Sequence, residues 1–391
     1  MKATGIIVEY NPFHNGHKYH LTNARKLGDI VIAVMSGDFV QRGEPSIIDR
    51  WTKTEMALDN GVDLVVELPA FYSSQSAEIF AKGGIGILEE LKCDTILFGS
   101  ESADIEELKR ISEFQESTEF QFKLKERLNR GLSYPTAHSE TMNEILKDTR
   151  LDSNDILGLE YLKAIKYWKS SITPEVLKRE KTGYHDSTIV DNFASATKIR
   201  KSIKDNLNIE NVIPLETSLI LKKYRNFTYM ENFYPYIRYE LLKNYKTLGN
   251  IQDMETGFEN RLFENSMKYE NYQDFFNKII NKRYTLGRIQ RVLIHSLTGL
   301  TKEITQNVKK EIPYVKILGF SQKGQEYLTW LKKFENKKII TTYKKMNQIF
   351  NEDSCKLIEF NERCSEIYRL VNPYKNRKSP IIYKEETNEQ Q

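Results

Sequence analysis

The chain has 391 residues, 39% hydrophobic and 29% charged, with 58 Lys and Arg against 54 Asp and Glu and only 3 cysteines. That length predicts two domains, and this balance excludes a collagenous, mucin-like or largely disordered protein. No run approaches the roughly 18 apolar residues of a membrane helix, the N-terminus lacks the form of a signal peptide, and three cysteines without a CxxC pair point to a reducing cytoplasm and no membrane.

Thr4–Glu9 is predicted as a strand, Asn15–Lys26 as a helix and Ile30–Met35 as a second strand. Asp49–Asn60 has helical periodicity, Val62–Leu68 reads as a strand, Ser76–Leu91 as a helix, and Thr95–Phe98 as a strand ending at Gly99. β-Branched runs alternating with amphipathic helices at this spacing imply an α/β fold, a Rossmann-like doubly wound parallel sheet with right-handed crossovers. Residues 105–170 read as mostly helical with a break at Gly131–Pro135, Val176–Arg179 as a last strand, and Ala196–Lys204 as a short helix. Beyond about 205, helical periodicity dominates Ser218–Asn244 and Asp274–Leu297, with a strand-like stretch at Pro313–Gly319. The expected division is an α/β domain over 1–205 and a mostly α-helical domain over 206–391.

Charge divides along the same line. Residues 201–391 hold 33 Lys and Arg against 23 Asp and Glu, and residues 281–350 alone hold 15 against 4. A basic half joined to a mildly acidic half suggests a polyanion binder attached to something else, although a generally lysine-rich composition gives the same counts. The aromatic cluster Tyr224, Phe227, Tyr229, Phe233, Tyr234, Tyr236 and Tyr239 could stack bases, but core packing is the preferred reading.

The chemistry-bearing stretch is Gly5 to His20, which runs strand, loop, helix. Such a loop lies at the carboxyl edge of the sheet, where α/β folds bind ligands, and the helix start offers free N–H groups to an anion. His14 and His17, one helical turn apart, share a face and could donate hydrogen bonds to phosphate oxygens, while Gly16 lets a backbone approach a ligand. A zinc site on His14, His17 and His20 is disfavoured, since the outer two diverge by roughly 120° on a helix and no fourth ligand lies nearby. The run Gly83-Gly84-Ile85-Gly86 falls inside a helical stretch and lacks the spacing of a dinucleotide loop.

His14-Asn15-Gly16-His17 resembles the HIGH motif of adenylyl- and nucleotidyltransferases related to class I aminoacyl-tRNA synthetases, and Ser195-Ala196-Thr197-Lys198-Ile199-Arg200 resembles their second phosphate motif. Within that superfamily the stretches Glu9–His20, Met35–Pro45, Phe98–Ser102, Asn154–Tyr161 and Arg179–Asp186 are similar to the bacterial tRNA(Met) cytidine acetate ligases, densely over the first 200 residues and more loosely after them. The resemblance implies ATP contacts from Ile7, Val8, Glu9, Tyr10, Asn11, Pro12, Phe13, His14, Asn15, Gly16, His17, Lys18, Tyr19 and His20, with Gly99, Asn154 and Arg179 completing the set. It implies catalytic roles for His14, His17, Ser195, Thr197 and Arg200. Asp155 departs from the family's usual Pro-Asn-Asn at 153–155.

The implied reaction adenylates acetate with ATP and then acetylates the exocyclic amine of the wobble cytidine in elongator tRNA(Met). Two anions must be held together, so positive and N–H donors should dominate the floor of the site, with Mg²⁺ on the triphosphate and no protein-bound metal. Gln41 and Arg42 could orient acetate or the ribose, or simply form a turn at Gly43. Glu101 is read as a helix cap in preference to a base. Arg283, Arg288 and Arg291, on one helical stretch, are the candidates for the tRNA backbone. Two rivals stand beside this reading: an acetate-adenylating ligase for another acceptor, resembling the citrate lyase ligase, and a non-catalytic ATP-dependent tRNA-binding protein.

Overall fold

The computed structural model describes residues 1–132, 134–146, 153–178, 192–281, 284–334, 338–344 and 346–384. Arg283 and the whole of the Arg179–Asp186 stretch lie outside the described residues. The chain opens with β1 (Ala3–Val8), α1 (Asn15–Ala24), β2 (Ile30–Ser36), a hairpin of β3 (Phe39–Val40) and β4 (Glu44–Pro45), α2 (Arg50–Asp59), β5 (Leu64–Leu68), α3 (Ala70–Ser73), α4 (Ala77–Glu90) and β6 (Thr95–Ser100). Four helices follow, α5 (Ile105–Gln115), α6 (Thr118–Asn129), α7 (Tyr134–Leu146) and α8 (Ser153–Trp168), then β7 (Thr173–Lys178) and α9 (Ala196–Lys204). The remainder is α10 (Leu215–Lys223), α11 (Met230–Lys243), α12 (Phe258–Lys268), α13 (Tyr272–Ile279), α14 (Leu286–Thr298), α15 (Lys302–Val308), β8 (Val315–Phe320), α16 (Gln322–Leu331), β9 (Ile339–Ile340), α17 (Met346–Ile349), α18 (Glu352–Arg369) and β10 (Ile381–Ile382).

One sheet has the strand order β10–β8–β5–β2–β1–β6–β7, with β9 beside β8. From β5 through β7 every pairing is parallel, as expected of a doubly wound fold. β2 and β5 are buried along their whole length, as strands covered on both faces must be. Beyond β5 the sheet becomes mixed, because β8 returns from the C-terminal half and pairs antiparallel to β5, Leu64 opposite Phe320. The strand-like stretch near 313–319 is thus part of the sheet that residues 1–100 begin. The helical stretch 105–170 contains a further break between α5 and α6 besides the one expected near Gly131, and the strand expected at Val176–Arg179 starts at Thr173.

Alternation along β2 defines two cores. Ile30, Ile32 and Val34 join α4, α8 and much of the C-terminal helical region, while Val31, Ala33 and Met35 join α1, α2, α9 and α10 on the opposite face. In α4, Gly84 lies where a Cβ would come within 2.5 Å of the Ile7 side chain, so the glycine run serves helix-on-sheet packing. No helix among the described residues is long and apolar enough to cross a membrane.

A buried charge network ties the last helix to the sheet. Arg50, at the start of α2, is fully buried and donates to Glu67 Oε1 on β5 at 2.8 Å and to both carboxylate oxygens of Glu362 on α18 at 3.0 Å. Lys316 of β8 reaches Glu362 at 2.8 Å, and the Tyr343 hydroxyl donates to the same oxygen at 2.6 Å. Burial pushes the Glu362 carboxyl up, but Arg50 and Lys316 outweigh it and hold the group well below its ordinary value. A carboxyl lowered in the folded state contributes stability above its unfolded pKa and loses it as pH falls through the folded one. Glu362→Gln is therefore expected to cost about 2–4 kcal/mol at pH 7, with the difference from the parent shrinking as pH drops below about 5. Urea denaturation of both proteins across pH 3–8 checks this; a difference independent of pH would contradict it.

Candidate nucleotide-binding site

β1 lies between β2 and β6, and its crossovers leave to opposite sides, so the loop from Glu9 to His14 sits at the switch point of the sheet. The loop is held by its own side chains. Phe13 and Tyr10 are buried, with ring centroids 4.6 Å apart, and Asn11 Oδ1 accepts from the Ile47 N–H at 2.8 Å. His14 opens α1, its carbonyl accepting from the N–H groups of His17 and Lys18 at 2.8 and 3.0 Å. The His14 N–H donates to His17 Nδ1 at 3.3 Å, and the two imidazoles stack with centroids 3.7 Å apart. The His17 ring also meets Tyr10 edge-on at 4.9 Å. At Gly16 a Cβ would lie 2.9 Å from His14 Cε1, so only glycine lets that ring fold over the helix start.

The second phosphate motif faces this loop. Ser195 caps α9, its Oγ accepting from the Lys198 N–H at 3.2 Å. Arg200 donates to the Asn11 carbonyl at 3.2 Å, to Thr197 Oγ1 at 3.3 Å and to Glu44 Oε2 at 3.0 Å. The arginine of the second motif is thus bonded to the loop that leads into the first. Asn15 adds a tie nearby, donating to the carbonyls of Asn192 and Asn211 at 2.9 and 3.0 Å.

Other candidates lie further from this centre. Ile7 and Val8 pack into the two cores, Pro12 follows Asn11 inside the buried loop, and the Glu9 carboxylate accepts from the Gln41 N–H at 2.8 Å. Lys18 donates to the Asn60 carbonyl at 2.9 Å, Tyr19 is exposed, and His20 Nε2 lies 3.0 Å from the Leu97 carbonyl. Gly99 lies near the end of β6, the strand next to β1. Beyond it, Glu101 accepts from the Asn154 side chain and, at 3.0 Å, from the Asp155 N–H, capping α8. Asp155 answers by accepting from Ser100 Oγ at 2.5 Å and the Glu101 N–H at 3.1 Å. The departure at Asp155 therefore fastens α8 to the end of β6.

The hairpin of β3 and β4 links this centre to the C-terminal half. Gly43 at its tip has φ +72°, and a Cβ there would fall 2.2 Å from the Arg291 backbone nitrogen. Gln290 donates to Glu44 Oε1 at 3.2 Å. Arg291 is paired with Asp253 at 2.8 Å and Arg288 with Glu255 at 2.5 Å, so neither stands as an open cation. Burial draws the Arg42 guanidinium below its ordinary value, opposed by Glu9 and Glu44 and reinforced by Arg200. A cleft of about 1490 Å³ runs from Arg42, Thr197 and Arg200 to Ile156 and Lys163 of α8 and to Leu286 and Arg291 of α14.

Lys53 of α2 escapes sequence reasoning. It is fully buried, and its ammonium donates to the carbonyls of Ser36, Gly37 and Glu9 at 2.7, 2.6 and 3.1 Å, clamping the ends of β1 and β2 under the loop. Burial lowers its pKa to about 8, with Asp38 and Glu9 pulling the other way. Nothing in the helical pattern of 49–60 separates it from a solvated lysine.

An imidazole pair at the switch point of a mostly parallel sheet, opposed by a capped helix carrying Ser, Thr and Arg, defines a HIGH-type nucleotidyltransferase centre. The family model described as HIGH Nucleotidyl Transferase matches residues 1–380. A Fusobacterium nucleatum protein named tRNA(Met) cytidine acetate ligase is 50% identical, covering 98% of this chain and 99% of its own. A protein of the same name from Thermosipho africanus is 42% identical over 90% of this chain and 87% of its own. Thermotoga maritima TmcAL bound with alpha-thio ATP superposes with a TM-score of 0.89 at 32% identity, covering 98% of this chain and 99% of that one. The chain belongs to the HIGH nucleotidyl transferase family and, within it, to the tRNA(Met) cytidine acetate ligases.

Gly16→Ala is expected to leave thermal unfolding within about 2 °C of the parent, since Ala suits a helix better than Gly. The displaced His14 ring should lower ATP–pyrophosphate exchange at least about tenfold. A variant with full exchange would show that the stacked arrangement is not needed.

Proposed function

We propose that this chain is an ATP-dependent ligase that activates acetate as acetyl-adenylate and transfers the acetyl group to the exocyclic amine of the wobble cytidine of elongator tRNA(Met), giving 4-acetylcytidine. The observation that supports this reading is the hydrogen bond from Arg200 of the second motif to the Asn11 carbonyl, in the loop that leads into the first.

In the first step an acetate oxygen attacks the α-phosphorus of ATP, and the bond to the pyrophosphate oxygen breaks. Hydroxide, a poor leaving group, is thereby replaced by AMP. His14, His17 and the N–H groups at the start of α1 donate to the phosphates. Arg200, with the hydroxyls of Ser195 and Thr197, receives the charge that builds on the departing pyrophosphate. The remaining stretch Ile7–His20, with Gly99 and Asn154, serves the nucleotide pocket, and Arg179 is assigned an ATP contact by the family resemblance. In the second step the cytidine amine attacks the acetyl carbonyl, the bond to AMP breaks, and the amine loses a proton. No protein nucleophile is needed.

Magnesium would arrive on the triphosphate and neutralise part of its charge. Residues 1–205 supply the ATP and acetate contacts and residues 206–391 the RNA contacts, including Arg283, Arg288 and Arg291. An unpaired anticodon base costs less to splay than a paired one, which suits delivery of a single cytidine to the cleft. The reaction belongs to the cytoplasm, where ATP and tRNA are.

Acetate-dependent ATP–pyrophosphate exchange, followed by nucleoside analysis of elongator tRNA(Met), tests the reading. Exchange and 4-acetylcytidine are expected together. Exchange without the modified nucleoside would favour another acceptor, and no exchange with or without tRNA would refute the ligase. His17→Ala should lower exchange at least about tenfold. Arg288→Ala should leave exchange intact, weaken tRNA binding and flatten its salt dependence by about one unit of slope. Equal loss of exchange in both variants would contradict this division of labour.

A further inference from the structure

Glu44 touches both sides of the cleft. Its Oε2 accepts from Arg200 at 3.0 Å and its Oε1 from Gln290 at 3.2 Å. Arg200 is the cation placed to meet the leaving pyrophosphate, yet part of its charge is committed to a carboxylate, and it meets a triphosphate at full strength only by giving up that partner. The pair is partly shielded, with side-chain exposures of 15% for Arg200 and 28% for Glu44, so solvent screens it less than an ordinary surface pair. On the other side, Gln290 stands on α14 between Arg288 and Arg291. Gly43 leaves no room even for a Cβ against the Arg291 backbone, so α14 cannot move toward the hairpin without pushing it, and the Gln290 bond links the two in the other direction. A displacement of α14 is therefore felt at Glu44.

We propose that Glu44 is a positioning residue that parks Arg200 away from the triphosphate and releases it when RNA engages α14 and shifts the hairpin that carries the carboxylate. The inference rests on the reading that ATP meets Arg200 and that tRNA docks on α14. ATP and tRNA are then coupled through one carboxylate, and by linkage each raises the affinity of the other by the same factor.

The test is calorimetric binding of ATP to the full chain without acetate, in the presence and absence of an elongator tRNA(Met) transcript. RNA is expected to tighten ATP binding by the parent at least about fivefold. Glu44→Gln, which keeps shape and loses charge, should bind ATP without RNA as tightly as the parent does with it, and RNA should add less than about twofold. Glu44→Asp, which keeps the charge, should show no such gain. In an Arg200→Ala background, Glu44→Gln should bind ATP no more tightly than Arg200→Ala alone.

Equal or weaker ATP binding by Glu44→Gln would overturn the proposal, as would an absent RNA effect in the parent. A gain that persists without Arg200 would overturn it too, since it would mean only that removing a negative charge favours a polyanion. ATP binding without acetate does not depend on acetyl transfer. If the expected pattern appears while every protein lacks acetate-dependent exchange, the ligase reading fails and the Glu44 coupling stands.

Discussion

A fully buried arginine cannot remain ionised in a protein interior without carboxylates brought to it, and Arg50 obtains them from opposite ends of the chain. Glu67 comes from β5, a strand laid down early; Glu362 comes from α18, nearly 300 residues later. Lys316 on β8 completes the balance, sitting 3.4 Å from Glu67 and 2.8 Å from Glu362. The geometry admits few alternatives, because leaving any one charge unpaired would be costly. Strands β5 and β8, α2 and the last long helix are thus fixed relative to one another, and α2 in turn carries Lys53 beneath the loop between β1 and α1. The floor of the site inherits its position from this network.

The hairpin of β3 and β4 shows how little regular structure suffices to join two distant parts of the chain. Its strands are two residues each. Glu9 holds the Gln41 amide on one side, Gln290 holds Glu44 on the other, and the tip is pressed against α14. A segment this short has no core of its own and takes its conformation from what flanks it. That makes it suited to reporting one neighbour's position to the other.

Much of the first hundred residues was legible because β-branched runs and amphipathic helices alternate there with strand-length spacing, and the loop between β1 and α1 carries three of the chain's six histidines. The charged interior was not legible. Arg50 and Lys53 fall in a helix whose pattern reads as half solvated, and their partners are distant in sequence, so periodicity contains no trace of them. Strand β8 was visible as a strand, but its partner was not, since pairing across about 250 residues leaves no local signature. Among the aromatics after 224, Phe233 and Tyr234 pack into the core while Tyr236 and Tyr239 are exposed, as helical phase dictates. Arg288 and Arg291 have the spacing of a shared face, but composition does not reveal that Asp253 and Glu255 curl back to meet them.

The antiparallel step between β5 and β8 also bears on how the protein is made. A ribosome adding roughly 5–20 residues per second needs about 12–50 seconds between finishing β5 and producing β8, and throughout that interval β5 is an uncovered edge strand. Exposed apolar edges recruit the strands of neighbouring nascent chains unless something on them resists pairing. In the run Leu64-Val-Val-Glu-Leu68 the one ionisable residue is Glu67. The carboxylate that neutralises Arg50 in the finished enzyme would serve, on the polysome, as the charge that keeps this edge vacant for its own strand.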